Sequence, residues 1–137
     1  MTRPPSPAPA HQGVTVLAAL LLTVVAAFQA ALAFGAPWGR AAYGGIHPGS
    51  LPVRYRTAST ISSVAYAALA LVTLGRGPGA TTRRRVLTGA SGLMAVGTLM
   101  NLASRSRLER RLWSPVAGIL AVTLLHVARR VPADQDG

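Results

Sequence analysis

The chain contains no cysteine and no lysine, and its only acids are Glu109, Asp134 and Asp136. Without cysteine there is no disulfide scaffold, no thiol redox chemistry and no cysteine-based zinc site. Without lysine there is no lysine-bearing phosphate loop. Charge of either sign is scarce: 12% of residues are charged, against roughly 25% in ordinary soluble domains. What is present is apolar bulk and arginine. Half of the residues are hydrophobic, and the 14 basic residues, all arginine, give a net charge of +11. The mean hydropathy is +0.39. A chain of 137 residues makes one domain, and this composition predicts a small integral membrane protein.

The arginines divide the chain. No charge falls between Arg3 and Arg40, and further charge-free runs cover Thr57–Gly75, Val86–Ser104 and Leu112–Ala128. A bilayer span needs roughly 20 apolar residues and tolerates about 17. The expected fold is therefore all-α, a membrane-embedded bundle of four transmembrane helices. They are expected at about 14–34, 57–75, 86–103 and 113–129, within a domain covering 13–130. A soluble bundle would carry charges on an outer face every three or four residues, and these runs carry none. A cleavable signal peptide ending near Ala31-Leu32-Ala33 is the rival reading of the first run. That run exceeds the usual apolar core of about 7–15 residues. Residues 1–12, with Pro4, Pro5, Pro7 and Pro9, and residues 131–137 are expected as tails, the first of them disordered.

The stretch Gly35 to Tyr55 mixes Gly and Pro with Trp38, Tyr43, Ile46, Leu51 and Tyr55. Aromatic rings favour the membrane interface, which predicts a structured loop between the first two helices, a folded cap rather than a floppy linker. Ser106-Arg107-Leu108-Glu109 fits a helix capping box. Ser114-Pro115 supplies a second start signal, so a short interfacial helix with a kink is expected before the fourth span. Thr81 and Thr82 are candidate N-caps of the third helix. Thr88, Gly89, Ser91, Gly92, Ala95 and Gly97 give that helix a small-residue surface suited to close helix packing, with a passage or ligand groove as the second reading.

Orientation is balanced. The two sides of the membrane carry seven arginines each, so the positive-inside rule ties. The compact Arg83-Arg84-Arg85 run favours both termini in the cytoplasm. The spans hold no ionisable acid or base except His126, and the first offers only Gln29. Proton-coupled transport of the small multidrug type needs an intramembrane carboxylate, which is missing. His11, His47 and His126 are far apart in sequence, and neither a metal site nor a cofactor is expected. The arginines flank spans, where they anchor to lipid headgroups, so no nucleic-acid partner is expected. The expected partners are the lipid bilayer and a second copy or another membrane protein.

Glu109 is the only acid outside the C-terminal tail. Two readings of it stand level: it caps its own helix, or it pairs with Arg54 or Arg56 on the facing loop. The second reading makes a polar pocket from Trp38, Arg54, Arg56, Asn101, Glu109 and Arg110, beside Trp113. No catalytic spacing is present. The leading functional reading is a non-enzymatic accessory, envelope or interaction subunit, and the second is a small oligomeric transporter or channel.

Gly35-Ala-Pro-Trp-Gly39, Gly44-Gly45, Leu51-Pro52 and Arg56 form one signature. Asn101, Ser104, Glu109, Arg110, Trp113 and Pro115 form another. With both, the chain resembles a group of small bacterial four-helix membrane proteins to which no activity is assigned. The resemblance implies a membrane location in a bacterium and a four-helix fold, and no reaction.

Overall fold

The computed structural model describes residues 2–6 and 8–133; the expectations that fall on Met1, Pro7 and residues 134–137 lie outside the described residues. Four helices make up the fold: α1 (Pro9–Ala33), α2 (Val53–Thr73), α3 (Ala80–Ala103) and α4 (Arg107–Arg130). Among the described residues there is no strand. Three helices, α1, α3 and α4, are long and apolar enough to cross a membrane; α2 is not. The shortfall in α2 comes from its first half. Arg54 and Arg56 stand in its opening turns, and Thr57, Ser59, Thr60, Ser62 and Ser63 follow.

Several boundaries differ from the sequence expectation. α1 takes in Pro9 to Gln12, placed above in a disordered tail. Proline is compatible with the first helical turn, because the N–H it lacks would have no intrahelical partner there. α3 starts after Gly79, with Thr81 and Thr82 inside its first turn. α4 is one continuous helix from Arg107, with Pro115 inside it, so Ser114-Pro115 does not begin a second helix.

The ends of α1 and α2 are built alike. Gly35 (φ 95°) and Gly75 (φ 82°) take the left-handed conformation that stops each helix. Ala36 N–H returns to the carbonyl of Ala31, and Arg76 N–H to that of Leu71, both at 2.9 Å. An arginine of the following helix then donates to carbonyls of the last turn. Arg56 Nε donates to Ala33 O at 2.9 Å. Arg83 donates to Val72 O at 2.9 Å and Thr73 O at 2.7 Å.

The packing order is an arc, α2–α1–α4–α3. Each neighbouring pair along the arc packs closely, while α2 and α3 meet only sparsely. The main core joins Leu22, Leu87, Leu120 and Leu124. Ser63 Oγ donates to Ala26 O across α1 and α2, and Ser91 Oγ to Ala121 O across α3 and α4. Within the small-residue surface of α3, Ser91 is buried against α4, whereas the glycines have no close neighbour. A Cβ added at Gly89, Gly92 or Gly97 would meet nothing within 4 Å. Close packing by these glycines is thus corrected, because the arc leaves that side of α3 without a neighbour. Gly92→Leu should leave thermal stability in detergent unchanged; a large loss would show that a helix covers that face.

Candidate functional site

The loop between α1 and α2 is folded. Its own core joins Leu32, Ala42 and Leu51 with Phe28, Tyr43 and Tyr55. Two short 3-10 turns, Gly39–Ala41 and Tyr43–Gly45, shape it. The second requires positive φ at Tyr43 (49°), Gly44 (79°) and Gly45 (71°). Tyr43 pays that torsional strain back with side-chain anchoring, its hydroxyl lying 3.0 Å from Ser59 Oγ. Gly39 N–H donates to Gly49 O at 3.1 Å and closes the loop on itself.

The loop is pinned to the start of α4 at three points. Ser106 Oγ donates to Arg40 O at 2.7 Å, and Trp113 Nε1 to Ala41 O at 2.8 Å. Gly44 N–H donates to the two Glu109 carboxylate oxygens at 3.3 and 3.2 Å. Phe28 touches the Trp113 ring, centroids 4.6 Å apart, and stacks on Trp38 at 6.1 Å.

Glu109 therefore does something neither sequence reading included. Ser106 does cap α4, its side chain accepting from Glu109 N–H at 3.2 Å. The return arm of the capping box is absent, since Ser106 N–H goes to Ser104 Oγ. The buried carboxylate instead accepts from Gly44 N–H and from the Ser104 hydroxyl. The expected pair with Arg54 or Arg56 is not formed. Arg56 is engaged at the end of α1, and Arg54 lies over the Tyr55 ring, 4.7 Å from its centroid.

Behind this junction lies a cavity of about 730 Å³. It occupies the gap in the arc, between the α1–α2 and α3–α4 halves. Its upper end is polar, with Gln29, Tyr43, Asn101, Arg105 and Glu109. Its lower part is mainly apolar, with Val25, Met94, Val116 and Leu120 beside Tyr66. Gln29 Oε1 is buried without a hydrogen-bond partner. Of the residues expected in a polar pocket, Asn101, Glu109 and Trp113 line the cavity, whereas Trp38, Arg54, Arg56 and Arg110 do not. Arg110 instead donates to Ser104 O. Sequence reasoning missed Gln29, Tyr43 and Arg105. Gln29 had a visible signal, as the one strongly polar side chain between Thr23 and Arg40. Tyr43 is brought in by the path of the α1–α2 loop and Arg105 by that of the α3–α4 connection.

At the opposite end of the bundle, His11 Nδ1 and His126 Nε2 lie 3.1 Å apart with their rings stacked. The sequence distance between them concealed this pairing. Arg83 and Arg130 border the same recess. Two imidazoles fall short of the three or four ligands of a zinc site.

No protein-family model matches the chain, and comparisons with curated proteins and with solved structures find no match.

Proposed function

We propose that the chain is a multi-pass protein of a bacterial plasma membrane, with four crossing helices and both termini cytoplasmic. It acts as a non-enzymatic interaction subunit. The observation that carries this reading is the gap in the arc. Four helices that could close on one another leave a cavity of about 730 Å³ between α2 and α3, inside the roughly 300–1,000 Å³ range of ligand sites. The gap also favours an interaction subunit over a pore made by one chain. The cavity reaches down to Leu120, and Leu22, Leu87 and Leu124 beyond it are completely buried.

In the crossing of α2, the open hydroxyls of its polar half are shielded by bonds to its own backbone. Thr57 Oγ1 donates to Val53 O and Thr60 Oγ1 to Arg56 O, both at 3.0 Å. Introduced cysteines test the topology, because the native chain has none. An impermeant maleimide on intact cells should label Gly49→Cys and Leu108→Cys. It should label Ser6→Cys and Gly79→Cys only after permeabilisation. Identical labelling at Gly49→Cys and Gly79→Cys would show that α2 stays on one side.

A further inference from the structure

Beside the mouth of the cavity lies a shallower recess of about 480 Å³, bordered by Arg40, Gly44, Gly45, Arg105, Ser106 and Arg107. Gly44 and Arg105 border both spaces, so recess and cavity adjoin. The three arginine side chains are exposed, and none makes a hydrogen bond or ion pair among the described residues. The only acid among the described residues, Glu109, is buried and already taken by Gly44 and Ser104. Three uncompensated cations thus stand over a slot whose apolar walls include Phe28, Met94, Met100 and Leu120. The slot faces the gap between α2 and α3, which in a membrane opens sideways to the acyl chains.

We propose that recess and cavity together bind one anionic phospholipid. Its phosphate sits among Arg40, Arg105 and Arg107, and one acyl chain lies in the slot along Met94, Gly97 and Met100. Guanidinium groups suit this role because they donate in a planar fork to phosphate oxygens. The flexible thioethers of Met94 and Met100 suit an acyl chain of variable shape. Gly97 keeps the slot open: an added Cβ there would meet open space, and a larger side chain would occupy it. This site names the partner of the interaction subunit proposed above, and so rests on the membrane reading.

The test uses the full chain purified in mild detergent with equimolar phosphatidylglycerol and phosphatidylcholine, read by native mass spectrometry. One phosphatidylglycerol per chain should be retained, with a preference of at least about tenfold, as three arginines near an anionic headgroup supply. The triple variant Arg40→Gln, Arg105→Gln, Arg107→Gln should lose the preference. Arg84→Gln with Arg85→Gln, exposed at the other end of the bundle, should keep it. Gly97→Leu should lower retention of the lipid while the arginines remain. The arginines have no partners in the fold, so monodisperse elution of the triple variant is expected; if it aggregates, the single Arg105→Glu and Gly97→Leu variants decide. Three outcomes overturn the proposal: a preference that survives loss of the arginines, a Gly97→Leu variant that retains lipid like the parent, or displacement of the lipid by equimolar glycerol phosphate, which would mean a phosphate site without a chain slot. Membrane extraction by alkaline carbonate separates the two readings. A chain released into solution refutes the membrane reading and this site with it. A chain that stays in the membrane but shows no lipid preference refutes this site alone.

Discussion

Gly39→Ala should unfold the loop between α1 and α2 while leaving the four helices in place. A Cβ at this position would lie 1.9 Å from the His47 carbonyl oxygen and 2.7 Å from that of Gly49. Both obstacles are backbone, so no side chain can rotate away. The loop must open, and the bond from Gly39 N–H to Gly49 O goes with it. The expected cost is about 3 kcal/mol, the upper end of overpacking penalties. Gly49→Ala is the control, since its Cβ meets nothing within 4 Å. Thermal melting in detergent, with protease sensitivity between residues 39 and 51, measures both. A Gly39→Ala variant that melts and resists protease like Gly49→Ala would show that the loop does not close in this way.

The second large effect is expected at Glu109. Glu109→Ala strips the acceptor from Gly44 N–H and from the Ser104 hydroxyl at once. Stranding two partly buried donors costs about 2–4 kcal/mol. Glu109→Gln keeps an acceptor of the same shape and should cost about 1 kcal/mol, the difference between a charged and a neutral hydrogen bond. Glu109→Arg places a cation where two donors point and should be the worst of the three. Neither Arg54→Glu nor Arg56→Glu should rescue it, because those side chains are committed at Tyr55 and at the end of α1. Rescue by either reversal, seen as a recovered melting temperature, would reinstate the ion pair across the loops.

These two positions show what the sequence makes legible. Features written in adjacent residues were readable: the charge-free runs, the aromatic-rich loop and Ser106 as the cap of α4. The partner of Glu109 was not. It is a backbone N–H, 65 residues away, and every non-proline residue carries one, so no side-chain pattern marks it. The glycines of α3 were misread for a related reason. Small residues permit close approach, but only the packing order decides whether a helix arrives, and α3 stands at the end of the arc. α2 shows a third limit. Freedom from charge between Thr57 and Gly75 resembled a span, while the hydroxyls in its first half lower its hydropathy below that of its neighbours.

The contact between His11 and His126 separates the order of packing from the order of connection. It holds the first turns of α1 against the last turns of α4, while α2 and α3 make the sparsest join between helices consecutive in the chain. A gene rearranged to begin at α3 and end at α2, with a short linker from Val131 to Pro9, would encode the same arc in its natural spatial sequence. The break would fall in the Gly77–Gly79 turn, where added side chains meet open space. Such a permutant keeps each of the close helix pairs and frees α2 and α3 from their covalent tie.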